Sequence, residues 1–225
     1  MTWYATNRSS RGTDAMTLFP AFLKLAGRRC LVVGAGPVSE EKIEGLLRAG
    51  AEVRVVAPQG TPRIRCWARA GKIRWETRAF READLEGVFL AVAATSSAAL
   101  HGKIHRLARA RAVLCNVVDD PAHCDFYYGA IVRRGALQIA ISTGGYSPAL
   151  AQRLKKQIER EFGSEYELWL EELGAARKKL FAKKISPKRR RLLLHRLASR
   201  ISFEEFVHRR KRGLRKASRR PSRPA

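Results

Sequence analysis

A glycine-rich segment directly after an apolar run is the first feature of this sequence that could do chemistry. Residues 29–33 (RCLVV) lead into Gly34-Ala35-Gly36-Pro37-Val38-Ser39, and a helical pattern follows. Gly34 would allow a tight turn, and Gly36 would let the backbone approach a pyrophosphate at the N-terminus of that helix. Ser39, at the third motif position, is small enough to keep the helix close to the strand. The pattern predicts dinucleotide binding, and the alternative is a glycine turn that only packs.

A second candidate segment is Asn116-Val117-Val118-Asp119-Asp120-Pro121, at the end of another apolar run. In open α/β sheets the reaction crevice lies outside the carboxyl ends of the strands, so Asp119 could act there as a general base. The alternative is turn chemistry, in which an aspartate bonds its own backbone. Residue type alone favours the turn.

A third candidate is the link Ser142-Thr143-Gly144-Gly145-Tyr146-Ser147-Pro148, which carries several hydroxyl groups. Ser147 is suited to cap a helix, and Pro148 is suited to its first position. Such a link could bind an anionic group at the helix N-terminus, or it could be a flexible connection. Spacing alone does not separate these two interpretations.

The end of the predicted second strand bears on the choice of dinucleotide. It reads Val56-Ala57-Pro58-Gln59, without the carboxylate that usually holds the ribose hydroxyls. Gln59 could hydrogen-bond a ribose hydroxyl, whereas Arg54 lies within the strand. These residues do not settle the choice between NAD and NADP.

Metal ligands and substrate-binding arginines are less evident. His101 and His105 lie four residues apart on a predicted helix and could share a metal, but the same segment fits an ordinary solvent-facing helix. Arg133 and Arg134, at the tip of a predicted hairpin, could contact substrate carboxylates or be solvated, and solvation is favoured slightly. The four cysteines lack CxxC spacing, which argues against a zinc ribbon or a disulfide scaffold.

The elements that must position these residues follow from the hydrophobic pattern. Five apolar runs rich in β-branched residues predict strands, and the spacers predict crossover helices, best marked at 37–49 and 98–110. This is a doubly wound α/β domain of the Rossmann type with a parallel sheet. The apolar runs that predict strands are 29–36, 51–58, 72–77, 87–95 and 112–120, and the first strand is predicted at 29–33, before the glycine-rich turn.

After Pro121 the pattern changes to a hairpin at 126–143, with its turn at Arg134-Gly135, and then to helices. The predicted helices begin at Pro148 and continue near 164–184, 188–200 and 202–215. The predicted organisation is a disordered leader at 1–17, a Rossmann domain at 18–121, a hairpin region at 122–148, a helical domain at 149–215 and a basic disordered tail at 216–225.

Charge is concentrated at the C-terminal end. The chain of 225 residues has 45 Lys and Arg against 20 Asp and Glu, a formal charge of +25. Residues 175–225 hold 20 of the basic residues and two of the acidic ones, so they carry +18 of that total. No apolar run approaches the roughly 20 residues of a membrane span, and the first 16 residues lack the apolar core of a signal peptide. We therefore expect a soluble, cytoplasmic protein.

Several of these segments together resemble one enzyme family. The segment LFPAFLKLAGRRCLVVGAGPVSEEK, the strand VFLAVAAT and the segment CNVVDDPAHCDFYYGAIVRRGALQIAISTGGYSPALAQRLKKQIE are similar to the siroheme synthase family, which includes NAD-dependent precorrin-2 dehydrogenases, some of which also act as sirohydrochlorin ferrochelatases. The resemblance runs from about Leu18 to Phe162. It rests on the order of the GxGxVxxxK, NVVD, CDF and SPALA motifs.

The resemblance implies a Rossmann domain, a dimerisation region around the hairpin, a C-terminal helical region and a homodimer. It implies NAD as cofactor and the oxidation of precorrin-2 to sirohydrochlorin, with Asp119 at the position of the family's catalytic aspartate. Precorrin-2 carries acetate and propionate groups around its ring, which gives the basic residues a candidate role. Family members commonly have proline at the position of Gly129, so a looser start of the hairpin is expected here.

The expected site residues follow from these motifs. For the cofactor they are Gly34, Ala35, Gly36, Pro37, Val38, Pro58, Thr95 and Val117, and for the substrate they are Asn116, Thr143, Gly144 and Ser147. His123 lies in the segment that the resemblance marks as the active site, which makes it a better metal candidate than His101 or His105. The metal ligands stay undetermined.

Two alternatives to the dehydrogenase remain. The same site could also insert Fe(II) or Co(II), with Asp119 receiving pyrrole protons. A protein of a different class, which binds nucleic acid or another polyanion through the basic segment, is less well supported, because that segment lacks interleaved aromatic residues and any recognised nucleic-acid motif.

Overall fold

The first part of the chain forms a five-stranded parallel sheet in the computed structural model, which describes residues 18–217. The strand order is β3-β2-β1-β4-β5. The order in which strands are added to the sheet therefore reverses between β1 and β4. This confirms the doubly wound α/β prediction, and it places the topological switch point beside the glycine-rich loop. The strands are β1 (Arg29–Val33), β2 (Glu52–Val56), β3 (Arg74–Glu76), β4 (Leu90–Ala93) and β5 (Leu114–Val117).

Three α-helices connect these strands: α1 (Pro37–Arg48), α2 (Pro62–Arg69) and α3 (Ala98–Ala110). Short 3₁₀ helices lie at Glu82–Leu85 and Pro121–His123. The first strand ends at Val33, as the sequence predicts, whereas the other strands end before the ends of the apolar runs that predict them. The fifth ends at Val117 instead of residue 120, because the N–H of Asp120 donates to the Val117 carbonyl and closes a turn.

The central strands are buried on both faces, as a parallel sheet between helices requires. One face packs Val32, Val55 and Val92 with Ile43 of α1 and Ile64 of α2. The opposite face packs alternate strand residues, such as Leu31 and Ala91, against Ile104 of α3 and Leu85. This two-sided core fixes the strand ends where the candidate residues lie.

A buried aspartate anchors the sheet edge at β3. Asp84 accepts two hydrogen bonds from the Arg78 guanidinium, at 2.7 and 2.9 Å, and one from the N–H of Arg81. Arg54 of β2 pairs with Glu76 and Asp84. Burial alone would raise the pKa of Asp84, but these hydrogen bonds and the charges of Arg78 and Arg54 lower it below its usual value. Arg54 is therefore engaged in this network.

A second compact unit begins at Gly129. It contains the antiparallel hairpin β6 (Ala130–Arg134) and β7 (Leu137–Ile141), followed by α4 (Pro148–Glu161), α5 (Glu165–Ala182), α6 (Pro187–Leu197) and α7 (Arg200–Ala217). The hairpin turn is Gly135-Ala136, one residue later than predicted, and Gly135 has a φ of 55°. A Cβ at Gly129 would lie 2.7 Å from the Ile141 carbonyl oxygen, so glycine lets the two ends of the hairpin approach closely.

The basic C-terminal helices pack through aromatic side chains. Phe203 of α7 contacts the rings of Tyr166 and Trp169 of α5, with centroids 4.4 and 5.0 Å apart, and Phe206 is buried. The predicted leader and all but the first two residues of the predicted tail lie outside the described residues, since α7 continues to Ala217. The predicted domain boundaries stay predictions. None of the described helices has the length and apolar character needed to cross a membrane.

Candidate active site

The loop after β1 contains two glycines that meet different constraints. Gly34 has a φ of 107°, and a Cβ there would lie 2.1 Å from the carbonyl oxygen of Ala94, just beyond β4. Its N–H donates to the Val56 carbonyl at 3.0 Å. Gly34 is thus required where the ends of β1, β2 and β4 meet, and no other residue fits this position without displacing the backbone.

Gly36 instead faces open space. It is the N-cap of α1, and a Cβ there would meet nothing within 4 Å. Pro37 occupies the first turn, Val38 is 48% exposed, and Ser39 is fully buried, as expected of the small residue at the third motif position. The N–H groups of a helix's first turn lack intrahelical acceptors, and the helix dipole adds positive potential there. This loop therefore has the free approach and the polarity that a pyrophosphate needs.

The remaining predicted cofactor residues follow the carboxyl ends of β2, β4 and β5. Pro58 and Gln59 are exposed beyond β2, and Thr95 is partly exposed beyond β4. The Thr95 hydroxyl accepts the Ser97 N–H at 3.3 Å, and Val117 is buried at the end of β5. Because parallel strands share a direction, these residues all lie at the carboxyl-terminal end of the sheet. Their contact with a cofactor stays a prediction.

The two histidines of α3 make different contacts. His101 Nε2 lies 2.8 Å from the Thr95 carbonyl oxygen, and the His105 ring contacts the His123 ring edge to face with centroids 5.0 Å apart. His123 Nδ1 lies 2.7 Å from Asp120 Oδ2. Between residues 18 and 217, no three His, Cys, Asp or Glu side chains are grouped so that they could hold a metal ion.

Asp119 lies in the turn after β5, in an unusual backbone conformation. Its φ is 60°, in the left-handed region that non-glycine residues rarely adopt. Its side chain is exposed, and within residues 18–217 it has no hydrogen bond or ion pair. Asp120, in contrast, is engaged with His123. The structure thus separates the adjacent carboxylates into a free one and a paired one, and strained, unpaired groups of this kind are often functional.

The buried side of the same loop contains residues that sequence analysis did not single out. The thiol of Cys124 lies 3.1 to 3.3 Å from polar atoms of Asn116, Val117 and Asp120. Asp125 accepts the N–H of Cys115 at 2.9 Å. The CDF motif contributes to the family resemblance. The side-chain contacts of Cys124 and Asp125 join positions up to ten residues apart, and hydrophobic periodicity does not reveal such contacts.

Asn116, expected to bind substrate, has a structural contact. It is 6% exposed, and its Nδ2 donates to the Phe126 carbonyl at 2.8 Å. This bond ties the end of β5 to the segment that follows the loop. Its predicted contact with substrate stays a prediction.

The hydroxyl-rich link in the second unit is an ordered turn. The Ser147 hydroxyl accepts the Leu150 N–H and caps α4, while the Ser147 N–H donates to the Thr143 hydroxyl, both at 3.2 Å. Gly144 and Gly145 have φ values of 61° and 86°, which only glycine adopts easily. These contacts leave the Thr143 hydroxyl proton free to donate to another group.

Arg134 is neither solvated nor free for substrate. Its guanidinium donates to the carbonyls of Phe162 and Glu159, at 2.7 and 2.9 Å, at the C-terminal end of α4. Cations stabilise this end of a helix, where carbonyls lack intrahelical partners. Arg133 is exposed, as solvation predicts.

Comparisons with known proteins agree with this arrangement. Residues 21–130 match a family model described as NAD(P)-binding, and residues 134–161 match one described as sirohaem biosynthesis protein central. Together these models span more than half of the chain. Residues 21–130 therefore form a nicotinamide-nucleotide binding domain.

Similar curated proteins are siroheme synthases. That of Nitrosococcus oceani is 41% identical over 144 residues, which is 64% of this chain and 31% of the relative. That of Neisseria meningitidis serogroup C (strain 053442) is 43% identical over 144 residues, with 64% and 30% covered. Siroheme synthase 1 of Pectobacterium atrosepticum is 38% identical over 192 residues, with 83% and 40% covered. The chain spans about a third of the length of these relatives.

A solved structure matches over its whole length. The structure named SirC, precorrin-2 dehydrogenase, is 28% identical with a TM-score of 0.71, and the match covers 87% of this chain and 100% of that one. The fold, the sequence motifs and the matched family models all indicate the same family. The chain therefore belongs to the siroheme synthase family, of which it carries the NAD(P)-binding and central regions.

Proposed function

We propose that this protein is an NAD-dependent precorrin-2 dehydrogenase, which forms sirohydrochlorin. The observation that carries the proposal is the match of this chain to the whole of a chain named precorrin-2 dehydrogenase. The geometry of the loop after β1 and the free carboxylate after β5 support it.

The loop after β1 fits a dinucleotide. Gly34 allows the strand ends to close, and the open space at Gly36 lets a pyrophosphate reach the N-terminus of α1. Pro58, Thr95 and Val117 would line the rest of the cofactor site from the other strand ends. No described contact of Gln59 decides between NAD and NADP. We propose NAD because the family that this chain resembles uses NAD.

The reaction removes two hydrogens from precorrin-2, one as hydride and one as a proton. A bound nicotinamide ring supplies the hydride acceptor. Asp119 is the general base in this proposal, because its carboxylate is exposed and is not occupied by another described side chain. Solvent exposure also lets the proton pass from Asp119 to water. A positioned base of this kind contributes about 10²–10⁴-fold in rate.

The substrate is a polyanion, so hydrogen-bond donors and basic residues suit it. We propose that Thr143, Gly144 and Ser147 contact its carboxylates, with the free proton of the Thr143 hydroxyl as one donor. We also propose, from the family resemblance, that the protein is a homodimer, and we propose that it is cytoplasmic.

The test is an assay of the purified full chain with precorrin-2, run with NAD, with NADP, and with NAD followed by Fe(II). The proposal predicts NAD-dependent formation of sirohydrochlorin, seen as the absorbance of NADH and of the product. Consumption of Fe(II) would add the chelatase activity to the dehydrogenase. The absence of sirohydrochlorin with either dinucleotide would overturn the proposal.

A further inference from the structure

The thiol of Cys124 is the centre of the loop that carries Asp119. Its Sγ lies 3.3 Å from both the Val117 nitrogen and Asn116 Nδ2, which donate to it. The carbonyl oxygens of Val117 and Asp120 lie 3.1 and 3.2 Å from the same sulfur and share its single S–H. A thiol has one donor proton and a weakly accepting sulfur, so these contacts use its full hydrogen-bonding capacity.

The position of Cys124 follows from the place of β5 at the edge of the sheet. The N–H groups of Leu114 and Val118 donate inward to the backbone at β4. Those of Cys115 and Val117 face outward, and an uncovered outward edge leaves donors unpaired. The side chains of Asp125 and Cys124 accept these two N–H groups, so consecutive residues cover the edge strand in place of a further strand.

The same contacts determine the backbone at Asp119. The turn closes through the Asp120 N–H, which donates to the Val117 carbonyl at 3.3 Å, and Asp119 is the third residue of that turn. A φ of 60° at this position usually selects glycine or asparagine. Within the described residues, the Asp119 side chain bonds nothing that could hold this conformation, so its neighbours must impose it. Cys124 contacts both ends of the turn.

We propose that Cys124 is a positioning residue, whose thiol holds the turn from Val117 to Asp120 and thereby the carboxylate of Asp119. The proposal rests on the proposed function, in which Asp119 is the base. Burial raises the pKa of the thiol and outweighs the opposing hydrogen bond from the backbone at Val117, so the S–H that bonds the carbonyls is retained at neutral pH. Cys124 acts through Asp119 and makes no contact with the reacting atoms.

A double-mutant cycle tests this coupling. Cys124→Ala, Asp119→Ala and the double variant are compared in single-turnover oxidation of precorrin-2, with NAD affinity measured separately. We expect Cys124→Ala to lower the rate about tenfold when Asp119 is present and to leave it unchanged in the Asp119→Ala chain, with NAD affinity retained in both. Cys124→Ser, which keeps one donor and two acceptors, should restore most of the rate. Cys66→Ala, at an exposed cysteine of α2, is the matched control and should change nothing.

Two results would overturn the proposal. One is a normal rate for Cys124→Ala, and the other is an equal loss with and without Asp119, which would indicate a general structural effect. If the alanine variant does not fold, the cycle is run with Cys124→Val, which fills the space of the thiol but has no hydrogen-bonding group. A rate loss of at least twofold that requires Asp119 supports the proposal, and no such loss contradicts it.

A stability measurement separates this proposal from the proposed function. If the turn holds Asp119 at positive φ, Asp119→Gly should unfold at a higher temperature than Asp119→Ala, because glycine adopts that conformation without strain. The difference should shrink when Cys124 is replaced by alanine or valine, which removes the hydrogen bonds to the turn, and should not change in the Cys66→Ala chain. An undiminished difference would contradict the role of Cys124 even if the chain does not oxidise precorrin-2.

Discussion

Gly34 and Gly36 are two residues apart in one loop, yet adding a side chain would have different consequences at the two positions. At Gly34 a Cβ would meet the Ala94 carbonyl, so substitution damages the fold. At Gly36 it would meet nothing within 4 Å, so substitution changes what can approach from outside. Gly36 is therefore the position at which cofactor binding can be altered without altering the domain.

We predict that Gly36→Asp abolishes NAD binding and leaves the fold intact. Aspartate is a favoured N-cap residue, so α1 should keep its stability, while the carboxylate would occupy the space and oppose the charge of the pyrophosphate. Calorimetry measures the affinity, and thermal unfolding checks the fold. Gly45→Asp, at another open glycine of α1, is the matched control and should bind NAD normally. Unchanged affinity for Gly36→Asp would show that the loop does not bind the cofactor.

Some residues of this site can be predicted from the sequence, and others cannot, for a physical reason. Gly34, Gly36 and Asp119 stand in local motifs next to strand ends, so spacing and the family resemblance find them. Cys124 and Arg134 act through contacts across 4 to 28 residues, and a cysteine in a loop or an arginine in a hairpin has no local signature for such a contact. The sequence favours a solvated Arg134, whereas its guanidinium donates to carbonyls at the end of α4.

Among the elements, the strands and helices follow from the hydrophobic pattern, whereas their ends do not. The sequence pattern predicts that the fifth strand continues to residue 120, because Val118 and the two aspartates follow the apolar run directly. The turn that ends this strand depends on Asp119 at positive φ and on the bond between Asp120 and Val117, which apolar spacing does not encode. For the same reason the sequence predicts the hairpin turn at Arg134-Gly135, one residue before its position in the structure.

The edge at β3 gives a prediction about stability. Asp84→Asn should lower the free energy of unfolding by about 2–3 kcal/mol at pH 7, less than for a fully buried pair because Arg78 is partly exposed. Because the pKa of Asp84 is lowered in the folded state, its contribution is complete above the unfolded value of about 3.9 and is lost as the pH falls through the folded value. The difference between the two chains should thus diminish below about pH 4.

Urea unfolding at several pH values measures this difference. Glu82→Gln is the control, since Glu82 lies in the same 3₁₀ helix but forms an exposed pair with Lys103 at 3.5 Å. An exposed pair contributes at most about 1 kcal/mol. An equal effect of the two substitutions would contradict the anchoring role of Asp84.

At the scale of the whole molecule, the basic C-terminal segment is both charged and packed. Deletion of residues 188–225 removes 15 Lys and Arg with two Glu and leaves a formal charge of +12. It also removes Phe203 from its contacts with Tyr166 and Trp169, so the second unit should lose thermal stability. The first unit has its own two-sided core and should still bind NAD.

Heparin chromatography and NAD titration check this deletion. We expect elution from heparin at lower salt and little change in NAD affinity, because polyanion binding follows the number of basic residues. Deletion of residues 218–225 alone is the control, which leaves α7 in place and should not change thermal stability. Loss of NAD binding in the longer deletion would show that the cofactor domain depends on the C-terminal helices.

The most direct test of the account compares the adjacent carboxylates after β5. In assays of precorrin-2 oxidation with NAD, Asp119→Ala should lose at least about a hundredfold in rate, with NAD affinity little changed, because the cofactor loop follows a different strand. Asp120→Ala should lose much less, because Asp120 is engaged with His123 and is not free to act as a base. Near-normal formation of sirohydrochlorin by Asp119→Ala, or a larger loss in Asp120→Ala, would contradict the mechanism at its central residue.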